Sequence, residues 1–181
     1  MNRKEFIFKI GTIILILNIP KKIFTDEVTK PMDKELRFAN LDEALKELKL
    51  IESKTIKTSG EWNLSQVISH LAQSIEYSMN GFPELKNPVF RFTVGKIAFS
   101  VFSSRGYMSH DLNAPIPGAS ELDKNTEVKL AFQRLYKSIE DFKNFSSELK
   151  PHFAYGNLEK SEYDKAHAMH IANHLSFFQV T

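Results

Sequence analysis

Two histidines near the end of the sequence have the spacing of metal ligands on a helix. His170 and His174 are four residues apart, so on an α-helix their rings lie one turn apart on the same face. This is the spacing that H-x-x-x-H helices use to bind zinc. An imidazole on the inner face of a helix needs a reason to be there, because burying an unpaired polar ring costs roughly 1–3 kcal/mol. The pair therefore predicts two ligands of a divalent-metal site.

A third ligand has to come from another helix. His167 shares the face of the pair, but it is seven residues from His174, about 10 Å along the axis, and cannot easily share an ion with it. We expect His167 to support the ligands, to line a pocket or to pack. His70 is the candidate third ligand, although its place at the border of an apolar stripe fits a surface histidine equally well. His110 and His152 are interpreted as ordinary structural or exposed histidines.

Four segments with helical periodicity position these residues. They begin near residues 41, 63, 126 and 161. Asn40 and Asn63 are expected to cap the first two helices, and Ser161-Glu162-Tyr163-Asp164 resembles a capping box for the last. Residues 83–120 form a long connection, in which residues 92–102 match neither the helical nor the strand period. Four helices without a convincing set of strands predict an all-α protein, a four-helix bundle with a long crossover connection.

The composition excludes several classes of protein. The 181 residues include no cysteine, which excludes disulfides, thiolate metal sites and cysteine nucleophiles. Any metal must therefore be held by imidazole, carboxylate or water. The 24 basic and 22 acidic residues nearly balance and are scattered, which argues against nucleic acid as a partner. A hydrophobic content of 42% is enough for one core, so we expect a single domain over residues 31–181.

The first 30 residues are expected to lie outside this domain. A basic start precedes the uncharged apolar run of residues 10–19, the pattern of an export signal, which is shorter than the roughly 20 residues of a membrane span. Arg3-Lys4 stands where a twin-arginine signal has two arginines, and no small-residue cleavage motif follows. An uncleaved or atypically cleaved export signal is the favoured interpretation, which places the protein in the periplasm or at the membrane. A segment that packs on the bundle of a cytoplasmic protein is the alternative.

Several motifs resemble those of the DinB-like metal-binding superfamily. Residues 62–72, from Trp62 to Ala72, are similar to its tryptophan-to-histidine second-helix signature, and residues 170–175 are similar to its closing H-x-x-x-H helix. Further similar segments are residues 74–79, 81–83, 116–118 and 151–153. Over residues 36–178 the order and spacing of these motifs most resemble a DinB-like branch known only as a domain of unknown function.

The resemblance implies a fold and a metal site. It implies an up-down-down-up four-helix bundle, often a homodimer, with a divalent ion, commonly zinc or nickel. By position, the three ligands would be His70, His170 and His174. Asn173 departs from the superfamily, which often has a second histidine before the last ligand, so the surroundings of the ion are expected to differ.

Three histidine ligands would leave a coordination position for water or substrate, as in a catalytic site. The resembled superfamily includes hydrolases and thiol-dependent transferases, so we expect a metal-dependent enzyme of one of these kinds, acting on an unknown small molecule. No glutamate lies between His170 and His174, and no catalytic residue is assigned beyond the ligands. Export would disfavour thiol transfer, because the usual thiol cofactors are cytosolic. The alternative is a non-catalytic metal or small-ligand binding protein, which a fourth ligand such as His167 or His110 would indicate.

Overall fold

A computed structural model describes residues 36–180 of the chain. The elements, in order, are α1 (Leu41–Ile51), β1 (Ile56–Lys57), α2 (Leu64–Asn80), α3 (Pro88–Phe90), a π-helical turn (Arg91–Gly95), α4 (Lys96–Arg105), α5 (Val128–Asn144), α6 (Lys160–Leu175) and β2 (Gln179–Val180). This mostly helical content confirms the predicted all-α class. None of the described helices has the length and apolar character needed to cross a membrane. The predicted export signal, residues 1–30, lies outside the described residues.

Capping boxes fix the starts of the two helices that carry the candidate ligands. At α2 the Asn63 side chain accepts a hydrogen bond from the Gln66 N–H at 3.0 Å, and the Gln66 side chain accepts one from the Asn63 N–H at 3.1 Å. At α6 the Glu162 carboxylate accepts from the Glu159 N–H at 2.8 Å. The predicted box beginning at Ser161 is therefore wrong, because Glu159 supplies the cap and the helix has already started at residue 160.

The core lies between α1, α2, α5 and α6. α2 packs most extensively on α5, and α6 packs against α1 and α2. The largest fully buried side chains come from these four helices and include Tyr163, Phe132, Phe142, Leu41, Leu48, Ile68 and Leu71. The Asp164 carboxylate accepts a hydrogen bond from the Leu41 N–H at 3.1 Å, and the Tyr163 hydroxyl donates to the Lys150 carbonyl at 2.6 Å. These bonds position α6 in addition to its packing.

The first part of the long connection between α2 and α5 is helical from residue 88 to residue 105. The π-helical turn adds a residue to the helical period and so shifts the positions that follow it. Phe92, Val94, Ile97 and Val101 are exposed. The apolar residues of this segment therefore do not mark one buried stripe, which explains why their spacing matches neither period.

The last part of this connection covers the polar face of α2. The Gln66 side-chain amide donates to the Leu122 carbonyl at 3.1 Å, and the Gln73 amide donates to the Ser120 carbonyl at 3.2 Å. His70 lies between these two glutamines in the sequence of the helix and is only 2% exposed, with its ring against those of Trp62 and His170. Its position at the border of the apolar stripe is thus a buried one.

A short antiparallel ladder holds the C-terminal end of α6. Ile56 of β1 pairs with Val180 of β2, and the Ser59 hydroxyl donates to the Phe177 carbonyl at 2.9 Å. The ladder attaches the end of α6 to the connection between α1 and α2. With the capping box at its start, α6 is anchored at both ends.

Candidate metal centre

Three imidazole rings meet between α2 and α6. His70 comes from α2, and His170 and His174 come from successive turns of α6. The Nε2 atom of His170 lies 3.2 Å from the Nε2 of His70 and 3.2 Å from the Nε2 of His174. One ring nitrogen of each residue lies within 4.8 Å of the other two. The structure therefore brings together the three residues that the sequence and the resemblance selected, and we call them the histidine cluster.

Hydrogen bonds among the three Nε2 atoms cannot satisfy all of them at once. A neutral imidazole nitrogen has either one N–H donor or one lone pair. The His170 Nε2 faces two other Nε2 atoms at the same distance, so it is matched well to only one of them. A cation removes the conflict, because all three nitrogens can direct a lone pair at it. The histidine cluster can therefore hold a metal ion.

The spacing of the cluster fits a divalent ion. Two nitrogen ligands of a tetrahedral zinc, each about 2.0–2.1 Å from the ion, lie roughly 3.3–3.4 Å apart. The two Nε2–Nε2 separations of 3.2 Å agree with this value. Imidazole is a ligand for both zinc and nickel, so the donors fit either ion.

The surroundings of the cluster are mostly packed rings. Trp62 lies against His70, with ring centroids 4.9 Å apart. The Nδ1 of His70 is buried and has no hydrogen-bond partner among residues 36–180, so packing orients this ring. Asn173, beside the last candidate ligand, is buried, and within the same range its side-chain Nδ2 also lacks a partner.

Burial keeps the cluster neutral, which is the form of imidazole that binds metals. Burial, with repulsion from the nearby His110 adding to it, lowers the pKa of His70 to about 3. Burial also holds the pKa values of His170 and His174 well below the usual histidine value, with repulsion from the neighbouring imidazoles adding to it. At neutral pH these rings therefore have lone pairs available for an ion.

The histidine cluster borders a cavity of about 280 Å³. His70 and His170 form part of its wall, which is otherwise largely apolar and includes Ile116 and Phe153. Among the described residues that line the cavity, Lys86 is the only one with a formal charge, and there is no carboxylate. A small, mostly apolar cavity with a few polar groups is typical of a small-molecule site.

Three further histidines line the same cavity. His167 is buried, stacks on Tyr163 with centroids 5.4 Å apart, and is not a member of the cluster. The pocket-lining role predicted for it as one alternative is therefore confirmed. The sequence predicts an ordinary structural or exposed role for His110 and His152, with His110 named as a fourth ligand only for a structural ion, and the structure places both residues in the wall of the cavity.

The position of His110 and His152 in loops explains why the sequence does not predict that they face the cavity. Both lie in connections between helices, where periodicity does not indicate which way a side chain faces. The motif at residues 151–153, which resembles the DinB-like pattern, is the one signal that could have drawn attention to His152.

The protonation state of His152 is fixed by the backbone. The N–H groups of Ala154 and Tyr155 donate to its Nδ1 at 3.1 and 3.2 Å, so this nitrogen carries no proton. The ring stacks on Tyr155, with centroids 4.3 Å apart. Burial, with repulsion from His167, lowers the pKa of His152 to about 3.

The metal-free protein is therefore expected to lose stability in acid through His152. An unfolded histidine has a pKa of about 6.5. The unfolded state thus binds more protons between pH 6.5 and 3, and the contribution of His152 is complete above pH 6.5 and is lost as the pH falls. From pH 7.5 to 5.0, this one residue should lower the free energy of unfolding by about 2 kcal/mol.

Urea unfolding of wild type and His152→Phe, both with chelator, measures this contribution. Phenylalanine keeps a ring in the stack but cannot take a proton. The pH dependence of its free energy of unfolding should be about 2 kcal/mol smaller than that of the wild type. The same pH dependence in both proteins would show that His152 is not held neutral by the fold.

Fold and site together define a mostly helical protein with a histidine cluster beside a cavity of small-molecule size. Residues 30–181 match the family described as "Protein of unknown function (DUF1569)", and because this range is most of the chain, the protein belongs to that family. Comparisons with curated proteins and with solved structures give no match.

Proposed function

We propose that this protein is a divalent-metal-dependent enzyme of the DinB-like type that acts on a small molecule. The observation that carries the proposal is the convergence of three neutral Nε2 atoms, with 3.2 Å contacts, beside a cavity. His70, His170 and His174 would hold the ion, with zinc and nickel as the candidates. Three protein ligands leave a position for water or substrate, which is the arrangement of a catalytic rather than a structural ion.

The arrangement of helices supports the DinB-like assignment. α1, α2, α5 and α6 are 11 to 17 residues long and carry the apolar core. The histidine cluster uses the second and the last of these four helices, as the resemblance implies. The same proposal includes an up-down-down-up order of these four helices. It also includes a homodimer and membrane association through the N-terminal segment.

The lining of the cavity indicates the kind of substrate. Most of the wall is apolar, so a hydrocarbon part of the substrate would displace water from it. Lys86 would attract an anionic or strongly hydrogen-bond-accepting group, and no described carboxylate of the lining opposes it. We therefore propose a small, partly apolar molecule with a negatively charged or carbonyl-rich group.

Hydrolysis and thiol transfer both remain within the proposal. A bound ion would favour either reaction, because it lowers the pKa of a water or thiol and polarises a carbonyl. The described cavity wall offers histidine nitrogens rather than a carboxylate as hydrogen-bond acceptors. If residues 1–30 direct export, hydrolysis is favoured, since the usual thiol cofactors are cytosolic.

The alternative is a non-catalytic metal or small-ligand binding protein. The observation that favours it is the approach of His110 to His170 and His174, with ring centroids 4.9 and 5.1 Å apart. A fourth protein ligand would close the coordination sphere, as in structural sites.

Activity screening of the metal-loaded protein tests the proposal. Protein loaded with zinc or nickel would be assayed against esters and amides in water, and against electrophiles with a small thiol, each with and without a carboxylate group. We expect turnover in one panel that is lost on chelation and in His174→Ala, and is kept in Lys129→Ala, a change at an exposed residue of α5. Stoichiometric metal without turnover in either panel would support the non-catalytic alternative.

A further inference from the structure

His110 lies beside the histidine cluster without being part of it. It belongs to the connection between α4 and α5, and its ring centroid is 4.9 Å from that of His170 and 5.1 Å from that of His174. The rings of His170 and His174 are 5.0 Å apart, so His110 is as close to them as they are to each other. Its nitrogens nevertheless fall outside the group of ligand atoms that lie within 4.8 Å of one another.

The backbone fixes which nitrogen of His110 has a lone pair. Its Nδ1 lies 2.8 Å from the carbonyl oxygen of Asp111, and a carbonyl oxygen only accepts, so Nδ1 carries the proton. In the neutral ring the Nε2 is then a bare acceptor. This Nε2 is buried and has no hydrogen-bond partner anywhere in residues 36–180. A buried acceptor without a donor is costly, so the site is built for a donor that comes from outside the chain.

We propose that the Nε2 of His110 accepts a hydrogen bond from the protic group that occupies the open position of the metal site. This inference rests on the proposed function, because that position exists only beside an ion held by His70, His170 and His174. Direct ligation by His110 fits less well, since nitrogens on one tetrahedral ion lie roughly 3.3–3.4 Å apart. One intervening water, thiol or substrate hydroxyl bridges a longer gap.

A hydrogen-bond acceptor at His110 supplies a group that the rest of the cavity does not provide as a carboxylate. The described lining of the cavity contains no carboxylate, so no acidic side chain is available there to accept a hydrogen bond from the group at the open position. An acceptor in the place of His110 orients the O–H or S–H of that group, whether the following step is hydrolysis or thiol transfer.

Two substitutions distinguish the roles of the two ring nitrogens of His110. Asparagine places an amide N–H near the former Nδ1, so His110→Asn can keep the bond to the Asp111 carbonyl while it removes the acceptor. Glutamine reaches farther and places an amide oxygen near the former Nε2, so His110→Gln restores an acceptor. Ser109→Ala, at the exposed neighbouring residue, controls for disturbance of the connection.

The test uses cobalt(II)-loaded protein titrated with two probes and followed by its visible spectrum. Acetohydroxamic acid brings a proton to the ion, and azide does not. We expect His110→Asn to bind acetohydroxamic acid about tenfold more weakly than wild type, and His110→Gln to stay within about threefold of it. Cobalt stoichiometry should be the same in all four proteins, and azide should bind none of the variants more weakly than wild type.

Each other result has a distinct meaning. Loss of stoichiometric cobalt in His110→Asn would overturn the inference by making His110 a ligand. Equal weakening of both probes in His110→Asn would overturn it by showing a merely structural role. Unchanged binding of both probes in that variant would overturn it by showing that the Nε2 accepts no hydrogen bond from the bound group. If the wild type takes up no cobalt, the proposed function fails, and that outcome is separate from the other three.

Discussion

Substitution of His170 with alanine is expected to remove stoichiometric zinc or nickel from the protein. His170 is the central member of the histidine cluster, because its Nε2 lies 3.2 Å from the Nε2 atoms of both His70 and His174. Loss of a residue that only supports a ligand already weakens metal affinity by about 10–100-fold. Loss of the ligand itself should therefore weaken it by about 100-fold or more. Elemental analysis of protein purified without chelators, together with a competition titration, measures both quantities.

The matched control is His167→Gln. His167 lies three residues earlier on α6 and lines the same cavity, but it is outside the histidine cluster. Its substitution should leave the metal content unchanged. Circular dichroism of both variants shows whether they are folded. Equal metal content in wild type and folded His170→Ala would overturn the assignment of the site.

Substitution of Gly95 with alanine is expected to lower the free energy of unfolding by about 3 kcal/mol or more. A Cβ atom at this position would lie 1.9 Å from the carbonyl oxygen of Ala154 and 3.0 Å from its carbonyl carbon. The φ angle of Gly95 is −62°, so alanine could adopt this backbone conformation and would otherwise favour the helix. The clash is with backbone, which cannot rotate away as a side chain can. Urea unfolding at pH 7.5 measures the loss.

Gly106→Ala is the matched control for this prediction. Gly106 has a φ of +76° and nothing within 4 Å of an added Cβ, so its substitution tests left-handed backbone strain without a clash. Its cost should be about 1–2 kcal/mol. A smaller loss at Gly95 than at Gly106 would show that the π-helical turn does not approach Ala154 this closely.

The helical period alone predicted part of the site. The spacing of His170 and His174 requires no tertiary information, and the structure confirms that their nitrogens meet. The caps at Asn40 and Asn63 were equally local, and both are present. His70 was different, because a helical wheel placed it at a border that could be wet or buried. Its burial is a tertiary feature, because its ring packs against His170 and His174, about 100 residues later in the chain.

Other features of the fold and of the site could not have been predicted from the local sequence pattern. His110 reaches the cluster through a connection whose path is set by contacts distant in sequence. The close approach of Gly95 to Ala154 joins segments 59 residues apart, and nothing near either residue indicates the other. The π-helical turn shifts the period of residues 92–102, so the usual test for a helix fails where a helix is present.

The separation of the candidate ligands along the chain has a consequence for how the protein would acquire its ion. His70 and His170 are 100 residues apart, so the histidine cluster cannot exist before α6 has docked on α2. Imidazole sites bind copper more tightly than nickel or zinc, so the local supply of ions decides which one is captured. If residues 1–30 export the chain unfolded, loading would take place outside the cytoplasm, with the ions found there. If the chain crosses the membrane already folded, the ions available in the cytoplasm would decide which one is bound, and the protein would be exported with that ion.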